Sequence, residues 1–214
     1  MPLMQGQVTN IGTTNTSDGQ TATNIAQGKQ TELLCAEIHG KWYNANIRGN
    51  LYHFSATGMT TPVIAANLAS IFALYNPTGS GVVGEVVCTD LAVVLATTVV
   101  NNVAWYQQSG FGAGITIPST ITVGTAIPGY LGAGNANKIK GCTALTAVGT
   151  PTLLEPIATF GAVTSTAANP IHSEHDGRIV LYPGSALYLA TSTTVWTAAG
   201  MAAHTCWVEW TLPV

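Results

Sequence analysis

Imidazole and carboxylate side chains can hold a metal or move a proton, and their densest run in this sequence is His172-Ser173-Glu174-His175-Asp176. Both ligand types suit several divalent ions, so His172 and His175 could share one with Glu174 or Asp176. The pattern is not H-E-x-x-H, no helix holds the two rings on one face, and Asp176-Gly177 is turn chemistry. The run therefore reads as an exposed polar loop ahead of a strand at Ile179. His172 and His175 are its metal candidates, and no metal or cofactor is expected. His39, His53 and His204 fall within strand-like runs and read as packing or interface residues.

Gly79-Ser80-Gly81-Val82-Val83-Gly84 fits G-x-G-x-x-G, whose dinucleotide-binding form places a pyrophosphate at a helix N-terminus. Here Pro77 precedes the glycines, Val86, Val87 and Cys88 follow them, and no acidic residue stands about 20 positions on to hold a ribose. A glycine-rich β-turn is the better reading. Hydrolytic chemistry finds little to work with: Glu37, Glu85, Asp90, Glu155 and Glu209 are isolated in sequence, and no G-x-S-x-G elbow occurs. The chain reads as a non-enzyme.

Trp42, Trp105, Trp196, Trp207 and Trp210 could stack against sugar rings or anchor subunit contacts. Trp207 and Trp210 fall on opposite faces of one strand, which makes them candidate interface residues. Cys35, Cys88, Cys142 and Cys206 lie far apart without a C-x-x-C pair, as expected of buried free thiols in a reducing compartment.

The elements that would position these residues are strands. Runs rich in Val, Ile, Thr and aromatic residues alternate with Gly, Pro and Asn clusters. Glu32 to His39 alternates, and Trp42 to Ile47 and Leu51 to Phe54 flank Arg48-Gly49-Asn50 as a hairpin. Ser70 to Tyr75 and Val82 to Cys88 flank the turn residues Asn76, Pro77, Gly79 and Gly81 and read as paired strands. Further strands are expected at Leu91 to Val100, Val103 to Gln107, Ile115 to Ile117, Thr120 to Thr125, Cys142 to Val148 and Leu153 to Phe160. Then come Arg178 to Tyr182, the turn Pro183-Gly184, Ala186 to Ala190 and an alternating last strand, Thr205 to Leu212. Only Pro62 to Ala69 suggests a helical turn. The fold class is all-β: one antiparallel β-sandwich over residues 31–214, preceded by an extended N-terminal arm over residues 1–30, whose apolar residues are too sparse to hold a core.

Charge sets the surface. Only 7% of the 214 residues are charged while 47% are hydrophobic, against roughly 25% charged in an ordinary soluble protein. Thr, Ser, Asn, Gly and Ala must cover the outside, which suits a subunit packed against copies of itself or other chains. A net charge of −3, with six scattered Lys and Arg, argues against nucleic acid as a partner. Glu85 and Asp90 interrupt the longest hydrophobic region, so no membrane-spanning helix is expected. The start, Met1-Pro2-Leu3-Met4-Gln5, lacks the features of a secretory signal and predicts folding in a cytoplasm.

Leu74-Tyr75-Asn76-Pro77-Thr78-Gly79-Ser80-Gly81, followed by a Val-rich strand, resembles a stretch common in β-sandwich virion proteins of tailed bacteriophages. Val180-Leu181-Tyr182-Pro183-Gly184-Ser185-Ala186-Leu187-Tyr188-Leu189-Ala190 and the last strand, Trp207-Val208-Glu209-Trp210, resemble their final hairpin. The likeness runs loosely from Lys41 to Val214. It implies a jelly-roll-like homotrimer that decorates or cements the outside of an icosahedral head, bound to the major capsid protein and located in the virion after synthesis in the host cytoplasm. Similar folds in head fibres and tail receptor-binding proteins bring a second expectation, adhesion to host glycan. The family carries no catalytic residues to transfer, and its turn residues, Asn76, Pro77, Gly79, Gly81, Pro183 and Gly184, are structural.

Overall fold

The structure is a computed structural model and describes residues 41–61, 69–93, 101–109, 120–130, 136–160, 170–191 and 196–212. The chain divides into two compact units, Met1–Lys41 and Trp42–Val214, of which the second holds all the elements named below. The arm expected over residues 1–30, the strands expected at Glu32 to His39 and Ile115 to Ile117, and most of the helical turn expected after Pro62 lie outside the described residues.

A short helix, α1 (Tyr43–Ile47), is followed by β1 (Leu51–Thr61), β2 (Ala69–Ser70), β3 (Ala73–Asn76), β4 (Val82–Val93), β5 (Asn101–Ser109) and β6 (Thr120–Val123). Next come β7 (Ile127–Pro128), β8 (Lys140–Thr146), β9 (Thr152–Phe160), β10 (Pro170–Glu174), β11 (Val180–Leu181), β12 (Ser185–Thr191) and β13 (Trp196–Thr211). One sheet runs β10-β4-β13-β1-β7 with β11 also on β4, and the other runs β2-β8-β3-β12-β5-β9 with β6 on β8. Every pairing is antiparallel. The eight principal strands in chain order are β1, β3, β4, β5, β9, β10, β12 and β13. Numbered so, they lie as 1-8-3-6 in one sheet and 2-7-4-5 in the other, which is the double Greek key of a jelly roll.

The core between the sheets is built from the inward residues of both. Phe54 stacks on Phe72 with ring centroids 5.0 Å apart, Phe72 meets Trp105 at 6.1 Å, and Tyr52 stacks on Trp207 at 5.8 Å. Leu74, Leu91, Val103, Leu187 and Leu189 fill the space around these rings. Strand β12 is buried along nearly its whole length, because Ala186, Tyr188 and Ala190 join a second apolar cluster with Ala73, Ala104 and Tyr106. A strand buried on both faces needs the continuous apolar run that Ala186 to Ala190 supplies.

Three sequence expectations are corrected. Trp42 to Ile47 is not the first strand of a hairpin. Tyr43–Ile47 is helical, with Asn46 N bonded to Trp42 O at 2.9 Å, and Gly49 at φ 71° ends the turn. Ser70 to Tyr75 is not one strand: the ladder on β8 is interrupted between Ser70, where β2 ends, and Ala73, where β3 begins, and at this break the Ser70 hydroxyl lies 2.8 Å from Phe72 O and 3.0 Å from Leu189 O. The third correction governs the topology. β3 and β4 belong to different sheets, as do β11 and β12, so the turns at Pro77 and Pro183 are arches between layers and not hairpins.

The two arches lie together. Gly184 N donates to Asn76 O at 2.8 Å, and Asn76 Nδ2 donates to Val82 O and Leu181 O, each at 2.9 Å. Gly79 and Gly81 carry the left-handed backbone of the first arch, at φ 76° and 74°. Gly84 has a different reason to be glycine: a Cβ there would collide with Ile139 Cδ1. The glycines of the G-x-G-x-x-G pattern thus serve a turn and a close packing contact.

Candidate functional site

Alternation along a strand places residues two apart on one face, and four adjacent strands here each carry such a pair. They are His53 and Ser55 on β1, His204 and Cys206 on β13, Cys88 and Asp90 on β4, and His172 and Glu174 on β10. Register joins them into two rows. His53 lies opposite Cys206, Cys206 opposite Cys88, and Cys88 opposite Glu174; Ser55 lies opposite His204, His204 opposite Asp90, and Asp90 opposite His172. The intervening residues Thr89, Leu91, Thr205 and Trp207 are buried on the inner side, so both rows stand on the outer face of the sheet. A β-bulge follows Cys206–Cys88 in the β13–β4 ladder. It turns Val87 and Cys88 together toward the outer apolar cluster of Ala45, Leu51 and Val208.

Asp90 is the hub of the lower row. His172 Nδ1 stands 2.6 Å from its Oδ1 and His204 Nδ1 stands 2.8 Å from its Oδ2, so the carboxylate accepts a hydrogen bond from each ring. His204 Nε2 lies 3.1 Å from His53 Nδ1, and the two rings stack with centroids 5.3 Å apart. Burial works against the Asp90 carboxylate, but the bonds from His172 and His204 outweigh it and hold its pKa below the ordinary value. The Asp90 hydrogen bond raises the pKa of His172, while burial and then His204 lower that of His53. In the upper row Cys88 Sγ and Cys206 Sγ are 3.0 Å apart. The Cys206 contact stabilises the Cys88 thiolate and lowers its pKa, and the same contact together with burial raises that of Cys206. One donor atom each from Cys88, Asp90 and His172 lie within 4.8 Å of one another. The face can therefore hold a metal, relay a proton along His53, His204 and Asp90, or bring two thiols into contact.

His172 and His175 do not share a site. His172 is exposed on the outer face, whereas His175, just past the end of β10, points inward and is 0% exposed. There it links the two sheets. Trp105 Nε1 donates to Thr89 Oγ1 at 3.0 Å, Thr89 Oγ1 lies 2.9 Å from His175 Nε2, and His175 Nδ1 lies 3.3 Å from Glu155 Oε1. Arg178 pairs with the same carboxylate oxygen at 3.0 Å. With Thr89 donating to Nε2, the ring carries its proton on Nδ1 and gives it to Glu155. Every member of this buried chain has a partner.

Trp207 is also corrected as an interface candidate: it is 0% exposed, sits in the intramolecular core, and places Nε1 3.3 Å from Glu209 Oε1. Trp210 is half-buried on the outer face and donates to Glu85 Oε2 at 3.1 Å. Trp105 and Trp207, both enclosed, cannot present a ring to a sugar. Asn76, Pro77, Gly79, Gly81, Pro183 and Gly184 lie in or beside the two arches.

Reading the chain in order misses Cys88, Asp90, His204, Cys206 and His53, because the pairs they form sit on separate strands. A signal was present in the spacing: C-x-D at 88–90, H-x-E at 172–174 and H-x-C at 204–206 each put two ligand-type side chains on one strand face. Comparison of the chain with family models, curated proteins and solved structures returns no match.

Proposed function

We propose that this chain is a structural virion protein, a capsid decoration or cement subunit that binds the outside of a tailed-phage head as a homotrimer and stabilises the shell. One observation carries the reading. Residues 120–130 cross from the seven-stranded sheet, through β6, to the six-stranded sheet, through β7, along one side of the sandwich. They expose Ile121, Val123, Ile127 and Tyr130, with Val123 at 51% and Ile127 at 55%. No charged residue occurs between Asp90 and Lys138, so this edge lacks the Lys and Glu side chains with which monomeric sheets guard their edges. An exposed apolar edge without charge marks a contact surface. Each 100 Å² of apolar area it buries contributes about 2.5 kcal/mol before the cost of association.

The jelly roll supports this reading by architecture, since viral capsid domains use it repeatedly, and lectin domains use it too. Architecture does not fix function, and the resemblance of the Asn76 and Pro183 segments to phage virion proteins supplies the choice of shell and major capsid protein as partners. Tyr182, 57% exposed at the second arch, favours a second reading, a head-fibre or tail module that adheres to host glycan.

Heads assembled without this protein provide the test. Purified chain should bind them at a fixed copy number set by the lattice and raise their resistance to heat, and a glycan array should be silent. Specific glycan binding that Tyr182→Ala abolishes, with no binding to heads, would replace the cement reading with the adhesive one.

A further inference from the structure

We infer that Cys88, Asp90 and His172 form a binding site for a divalent transition metal of the zinc class on the outer face of the six-stranded sheet. Their donor atoms already lie within 4.8 Å of one another. Ligands around tetrahedral zinc, with bonds of about 2.0–2.3 Å, stand roughly 3.3–3.8 Å apart, so small side-chain rotations close the set. The backbone beneath is fixed by pairing. Cys88 and Asp90 are two residues apart on β4, and His172 faces Asp90 directly from β10. Thiolate, imidazole and carboxylate together suit zinc, whereas calcium and magnesium take oxygen ligands.

The surroundings complete the site in the manner of outer-shell support. His204 donates to the second Asp90 oxygen at 2.8 Å, His53 backs His204 at 3.1 Å, and Cys206 Sγ stands 3.0 Å from Cys88 Sγ, where its S–H can donate to a metal-bound thiolate. His172 is exposed, which gives a metal an entry path from solvent.

The composition argues against an ordinary solvated face. Only 7% of the residues are charged, and the chain has five His and four Cys. Three of those His and two of those Cys gather with Asp90 and Glu174 on one face of four adjacent strands. Solvation alone would be met by the Thr, Ser and Asn used elsewhere. The site is independent of the assembly reading.

The test uses the full-length chain reduced with a phosphine, so that no Cys88–Cys206 disulfide competes. Titration should find one Zn²⁺ per chain, no comparable binding of Mg²⁺ or Ca²⁺, and a thiolate-to-metal charge-transfer band with Co²⁺. Zn²⁺ should also protect Cys88 from alkylation in the wild type, a readout that depends on no variant folding. Cys88→Ser and His172→Ala should each weaken binding at least about a hundredfold, and His204→Ala about tenfold, while His175→Gln leaves it unchanged. Absence of stoichiometric Zn²⁺ binding, absence of Cys88 protection, or affinity that survives both Cys88→Ser and His172→Ala would overturn the site.

Discussion

His175 shows what a single side chain can be asked to do in a sandwich with so few charges. Enclosed between the sheets, it faces Thr89 and Trp105 from β4 and β5, Glu155 from β9, and Arg178 beside it. Burial lowers its pKa below 6.5, with Glu155 opposing and Arg178 assisting. Above 6.5 the ring is neutral in both the folded and unfolded chain and the network contributes in full. As pH falls through 6.5 toward the lower folded value, the unfolded chain takes up a proton that the folded ring resists, and stability is lost. His172, raised by Asp90, has the opposite slope, so a difference measurement is needed. Melting temperatures of wild type and His175→Gln across this range should show the wild type losing more on acidification; parallel curves would contradict the assignment. Glu209 gives a second test. Its carboxylate accepts from Lys138 N at 2.9 Å and Ile139 N at 2.8 Å, so Glu209→Ala orphans both donors and should cost about 3 kcal/mol by denaturant unfolding.

At the scale of elements, the sequence was legible wherever alternation or turn chemistry is local. Leu153 to Phe160 and Val103 to Gln107 fall within β9 and β5, and all of the expected last strand but Leu212 falls within β13, because period-two patterning reports a half-buried strand directly. Turn residues were legible as turns, but Pro and Gly fix the backbone of a reversal without fixing which layer receives the next strand. That is why Pro77 and Pro183 read as hairpins and are arches. The same gap hid the candidate metal site. C-x-D, H-x-E and H-x-C each show a polar strand face, yet only the order β10-β4-β13-β1 makes those faces neighbours. Asn76 is the residue through which arch and topology are coupled, since its buried amide bonds both β4 and β11 across the layer gap. Asn76→Ala should therefore destabilise by about 1–3 kcal/mol, whereas Thr78→Ala at the exposed tip should change stability by less than about 0.5 kcal/mol. Equal effects in unfolding experiments would show that the arch is not held from Asn76.

For the whole molecule the deciding feature is where charge is missing. Between Asp90 and Lys138 the chain has none, and within that stretch residues 120–130 form the side of the sandwich that exposes Ile121, Val123, Ile127 and Tyr130. Scarcity of charge pointed to assembly from composition alone, although of the two aromatic residues chosen to represent it, Trp207 and Trp210, the first is sealed inside; inward and outward faces of a strand cannot be told apart until its neighbours are known. The aliphatic edge takes its place. Sedimentation equilibrium of the full-length chain, 22.1 kDa per subunit, tests this most directly. The wild type should sediment as a trimer and Val123→Glu/Ile127→Glu as a folded monomer, while a wild type that stays monomeric, or a trimer indifferent to both charges, would contradict it.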